Sequence, residues 1–107
     1  MNIKELLSRY SAGQRDFKNL NLMAANLRNT NLSGADLSGA NLTKANLTRT
    51  NLSCANLSNA ILTGAIMTDT NFTRANLTNI TLGEASLQQA HLKGAILQAE
   101  LKDSTPL

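Results

Sequence analysis

From Phe17 onward an apolar residue returns every fifth position, and few chains are so constrained by one feature. The series runs Phe17, Leu22, Leu27, Leu32, Leu37, Leu42, Leu47, Leu52, Leu57, Leu62, Met67, Phe72, Leu77, Leu82, Leu87, Leu92 and Leu97. Two residues before most of them stands a small residue, usually Ala, and after it usually Asn or Asp. Period five suits neither regular element. An α-helix advances by about 500° over five residues, or 140° net, so the leucines would spiral around the circumference. In a strand an odd period sends successive side chains to opposite faces. A short extended segment followed by a bend, once per five residues, places every apolar centre on the same side. Repeated bends close a coil, and stacked coils make an all-β solenoid with these seventeen residues as its structural core.

The number of sides follows from the small position. It is Thr rather than Ala at Thr30, Thr50 and Thr70, which are twenty residues apart. A twenty-residue coil stacks them in one column, and four five-residue sides complete such a coil. Composition agrees with this core. Aromatic residues are 3% of the chain and Val is absent, so the interior must be built from Leu and Ala. Burial of Leu, Met and Phe is the main stabilising term, at about 1.5–3 kcal/mol per side chain before ordering entropy is subtracted.

Ahead of the repeat, Ile3, Leu6, Leu7 and Tyr10 lie on one stripe of a helix spanning residues 2 to 13. Asn2 is placed to cap it, with Glu5 three residues on, and Gly13 to end it. So short a helix needs a surface to lie on, and the open first coil supplies one. The expected organisation is a capping helix at 1–14, a repeat column at 15–99 and a tail at 100–107. Lys102 falls on the next central slot and ends the beat, while Leu101 and Leu107 are available to fold over the last coil. An uncovered coil end invites end-to-end or dimeric association; otherwise the protein is a monomer.

The units Ala35-Asp36-Leu37-Ser38-Gly39, Ala40-Asn41-Leu42-Thr43-Lys44 and Ala45-Asn46-Leu47-Thr48-Arg49 resemble the pentapeptide repeat family, with its signature A(D/N)LXX. The segment from Glu5 to Phe17 is similar to the start of small cyanobacterial members. The resemblance implies a right-handed quadrilateral β-helix, here of about four coils, with an N-terminal helical cap. It also brings in members that modulate DNA gyrase by imitating the shape and negative charge of DNA. The charge here has the opposite sign, +3 over the chain. Arg15, Lys18, Arg28, Lys44, Arg49, Arg74 and Lys93 spread over all four sides against Asp16, Asp36, Asp69 and Glu84, and no aromatic residues interleave with them. Both gyrase modulation and direct nucleic-acid binding are disfavoured on that ground. Arg49 and Asp69, stacked twenty apart, are expected to form a surface ion pair.

No constellation of catalytic or metal-ligating residues emerges, and no cofactor is expected. His91 is the single histidine and occupies the outward Asn slot; Cys54 is the single cysteine. Matches to Asn-X-Ser/Thr, such as Asn31-Leu32-Ser33, are by-products of the repeat. With no apolar run long enough to span a membrane and no signal-like amino terminus, a cytoplasmic location is expected and no membrane partner. Attention therefore falls on departures from the beat. Leu20 and Ile80 fill the small slot and should widen their coils. Ile61, Ile66 and Ile96 replace Asn at an outward slot, and Ile61 and Ile66 belong to consecutive units on adjacent sides. Together these two form a candidate docking patch for an unidentified protein partner, in a non-enzymatic interaction or scaffolding module.

Overall fold

A computed structural model describes residues 1–97. It begins with helix α1 (Ile3–Ser11), whose amino end is capped by Asn2: the Oδ1 accepts the Glu5 N–H at 2.7 Å. The reciprocal half of the capping box is not made, because the Glu5 carboxylate turns along the helix to Arg9 at 2.7 Å. Gly13 follows at φ +102°, a left-handed value that turns the chain into the column.

The remainder is a stack of coils without long strands. Parallel bridges join Asp16 to Asp36, Asn21 to Asn41 and so on to Asn76 with Ile96, each linking a residue to the one twenty positions later. One turn of the solenoid is therefore twenty residues, as the threonine column requires. At each side two backbone bonds tie one coil to the next. The Leu42 N–H, for example, donates to the Ile61 carbonyl at 2.7 Å, and the Asn41 N–H to the Leu20 carbonyl at 2.9 Å. A third bond runs at the corner, as from the Lys44 N–H to the Thr63 carbonyl at 2.8 Å.

At every described corner up to Asn79 the chain makes a β-turn whose third residue, the fifth of the repeat, is left-handed. Asn19, Ala24, Asn29, Lys44, Arg49, Cys54, Asn59, Asp69, Arg74 and Asn79 all have φ between 55° and 63°. That sign is the one a type II turn demands, which explains the Gly and Asn in this slot. The preceding Asn supports the turn with its side chain: Asn41 Oδ1 accepts both the Thr43 N–H at 3.0 Å and the Thr43 hydroxyl at 2.6 Å.

The small slot is where the corner closes, and the closing bond responds to side-chain size. With Ala it measures 2.8–3.1 Å; with Ile80 it stretches to 3.4 Å, and at Leu20 no such bond forms. At these two residues, where a widened coil is expected, it is the turn bond that loosens. Thr is accommodated because its hydroxyl finds a partner: Thr50 donates to the Leu27 carbonyl and Thr70 to the Leu47 carbonyl, both at 2.6 Å, from wholly buried positions.

The core slots from Phe17 to Leu77 are all buried. Leu82, Leu87 and Leu92 are only half-buried, and Leu97 is 45% exposed, which corrects the expectation that the core continues undiminished to Leu97. A central Leu is covered by the coil above as well as the coil below, and no described coil stacks on these four. The boundary at 99, the tail 100–107 and the packing expected of Leu101 and Leu107 lie outside the described residues.

At the other end α1 covers the first coil. Leu6 is wholly buried against the core, and the Tyr10 hydroxyl donates to the Ser33 carbonyl at 2.6 Å, capping one of the edge acceptors left by the absence of a lower coil. The Arg15 guanidinium stacks over the Tyr10 ring, 3.7 Å from its centroid. Tyr10→Phe is expected to lower stability by about 1 kcal/mol. Backbone amide exchange should show faster opening of α1 than of the central coils; equal protection would mean that the hydroxyl does not hold the helix down.

Candidate interaction surface

Ile61 and Ile66 sit where Asn stands in the coil below. Ile61 pairs with Asn41 and Ile66 with Asn46, so both keep the backbone ladder of the units they replace. What changes is the outward side chain. An Asn in this slot folds back on its own turn; isoleucine has no acceptor and projects, leaving Ile61 37% and Ile66 49% exposed. The two residues flank the Thr63-Gly64 corner, where Gly64 adds no side chain and Thr63 is half-buried. Two apolar side chains thus stand exposed on adjacent sides of the column, on either side of the Thr63-Gly64 corner. Ile96 is exposed too, on another side of the column, as is Met23 in the first coil.

Directly above Ile66 the solenoid has a break that the repeat pattern does not lead one to expect. Ile66 and Ser86 are twenty apart but form no bridge, although every other such pair among the described residues does. Three successive ladder bonds are missing: Gly64 N–H to Gly83 carbonyl, Met67 N–H to Ser86 carbonyl, and Ser86 N–H to Ala65 carbonyl. The next bond has slipped by one residue, since the Asp69 N–H donates to Gln89 rather than Gln88. Between the lips lies an open groove of about 750 Å³, lined by Gly64 to Thr68 below and by Glu84, Ala85, Ser86, Gln88 and Gln89 above.

The cause is local. At this corner the left-handed residue is Gly83, at φ +56°, one position early, while Glu84 does not take that conformation. A positive φ at the first central residue reverses the peptide between the two central residues relative to a type II turn. The Gly83 carbonyl is thereby directed away from Gly64. Gln89, in the same slot at the next corner, is not left-handed either, so the side is mis-set at both ends. A signal existed in the sequence: the corner below reads Thr63-Gly64, whereas this one reads Gly83-Glu84.

Electrostatics at the surface are mild. Asp69 lies 3.8 Å from His91 Nε2, with both side chains mostly exposed. The expected ion pair between Arg49 and Asp69 is not formed, because Arg49 leans the other way and its Nε donates to Asn29 Oδ1 at 2.7 Å. Exposed ion pairs are weak enough for such an alternative to prevail. Cys54 is exposed at a corner. Among the described residues no three His, Cys, Asp or Glu side chains converge on a point that could hold a metal ion. Among them, too, no helix is long and apolar enough to cross a membrane.

A helix-capped β-solenoid with twenty-residue coils is the class this geometry defines. Comparison places it more narrowly. The family model for pentapeptide repeats in eight copies matches residues 21–53, 30–69, 40–79 and 70–99, and the chain belongs to the pentapeptide repeat family. Among solved structures it is similar to HetL of Nostoc sp. strain PCC 7120, a pentapeptide repeat protein involved in heterocyst differentiation regulation. The identity is 39% and the TM-score 0.55, over 92% of this chain and 44% of HetL. The chain thus spans less than half the length of that relative. It is also similar to alr5209, a pentapeptide repeat protein from Nostoc PCC 7120, at 30% identity and TM-score 0.45, over 95% of this chain and 88% of the other. A pentapeptide repeat protein from the thylakoid lumen of Arabidopsis thaliana shares 29% identity at TM-score 0.44, over 87% of this chain and 65% of that one. No curated protein matches the sequence.

Proposed function

We propose that the protein is a non-enzymatic interaction module that docks a protein partner at the corner formed by Ile61 and Ile66. The observation that carries this reading is the pair of projecting isoleucines, 37% and 49% exposed, on adjacent sides of a column whose other outward slots are mostly Asn, Ser and Thr. A flat polar face offers a partner only contacts it already has with water. An apolar corner offers burial, which is the larger favourable term in association. The reading takes the column to be right-handed and of about four coils, as the family resemblance implies.

Crosslinked pull-down from the native cell tests it. Ile61→Asn and Ile66→Asn restore the repeat's own residue, so both variants should fold with the wild-type circular dichroism spectrum. The expected outcome is loss of the partner from the double variant. An unchanged partner list would reject the proposal.

A further inference from the structure

We infer that the groove between Gly64–Thr68 and Glu84–Gln89 is a binding site for an extended peptide segment carrying basic residues, which adds to the solenoid wall as a strand. The inference rests on the interaction reading above and gives its partner a chemistry.

Everywhere else the described coils close on one another, and the ladder leaves no free edge inside the wall. Here the Gly64 and Met67 N–H groups and the Ala65 carbonyl on the lower lip lack protein hydrogen-bond partners. So do the Ser86 N–H and carbonyl and the Gly83 carbonyl on the upper lip. Donors and acceptors that alternate at strand spacing along two facing edges are complementary to the backbone of an extended polypeptide, and to few other ligands. Unpaired strand edges are the usual templates for such addition. The groove's volume, about 750 Å³, lies within the range of ligand clefts. Ile66, projecting at its mouth, supplies apolar contact. Glu84 is the one charged residue among those lining it, which selects a basic rather than an acidic segment.

One of the two mis-set corners that frame the groove is Gly83-Glu84. A Cβ added at Gly83 in its present conformation would lie 2.7 Å from the Thr63 methyl group, and the left-handed φ disfavours any side chain there. Replacing both residues, Gly83→Thr with Glu84→Gly, rewrites the corner as a copy of Thr63-Gly64 beneath it. The left-handed residue then returns to the second central position, the peptide turns back toward Gly64, and the upper lip is drawn down from this end.

The test uses the full chain and acetylated heptapeptides of alternating valine with lysine, with glutamate or with serine, each also made with alternate backbone nitrogens methylated. Amide exchange is followed at Gly64, Met67 and Ser86. The valine–lysine peptide is expected to bind and to slow exchange at these three amides. Its methylated form and the Gly83→Thr/Glu84→Gly variant should each weaken binding by at least about tenfold. Glu84→Gln should reduce the preference for lysine over serine without abolishing binding. Thermal melting of the double variant at or above the parent temperature shows that it folds. Absence of protection with every peptide at millimolar concentration would overturn the inference, as would equal binding of the methylated forms or undiminished binding to the double variant. So would protection of the three amides without peptide, whether independent of protein concentration (the chain's own tail) or rising with it (a second copy). Should the isoleucine variants lose their cellular partner while no peptide protects these amides, the groove is rejected and the interaction module stands. Peptide protection with an unchanged partner list rejects the isoleucine corner and leaves the groove standing.

Discussion

Phe72→Ala is expected to destabilise the solenoid by about 3–5 kcal/mol, while Leu97→Ala should change stability far less. Both residues occupy the same slot of the repeat, and the sequence alone ranks them equally. The difference lies in what covers them. Phe72 is wholly buried in a coil with described neighbours above and below, so truncation leaves a void that stacked backbone cannot collapse to fill. Leu97 is 45% exposed, and its side chain already meets water. Urea unfolding followed by far-ultraviolet circular dichroism separates the two cases. Equal losses would mean that the column end is as well covered as its middle.

Ala45→Leu is expected to cost about 1–3 kcal/mol, although it adds apolar surface to an apolar core. Ala45 is wholly buried at a corner where the Ala45 N–H closes the turn onto the Leu42 carbonyl at 2.9 Å. The protein contains its own controls. The same bond is 3.4 Å at Ile80 and unformed at Leu20, so a large aliphatic side chain in this slot loosens the turn. Those two residues lie toward the ends of the column, where the chain can yield; Ala45 lies between coils that hold it on both sides. A melting temperature equal to the parent's would show that central corners have slack the structure does not reveal.

Much of the architecture was legible because the repeat is a local rule applied many times. The Asn that folds back on its own turn, the buried Leu and the crowded Ala need only neighbours within the unit. The twenty-residue period added one long-range fact, carried by Thr30, Thr50 and Thr70. The proposed docking patch was half legible: Asn-to-Ile replacements at residues 61 and 66 could be seen, but their exposure on either side of the Thr63-Gly64 corner is a property of the folded column. The left-handed fifth residue was missed because Lys44, Arg49, Arg74 and Cys54 obscure the Gly and Asn pattern. The stack holds these residues in a conformation their own preferences resist.

By itself, then, the sequence determined the coil, its period, its interior and its helical cap, since each is the sum of short-range preferences that agree with one another. Only the tertiary structure decided where the wall fails to close. Two corners that depart from the left-handed fifth residue, at Gly83-Glu84 and at Gln88-Gln89, frame the side on which Ile66 and Ser86 fail to pair and strand-edge groups stay unpaired on both lips of the groove. Ladder pairing between coils depends on carbonyl direction, and carbonyl direction is set by the turn adopted in place, under the load of the coil below.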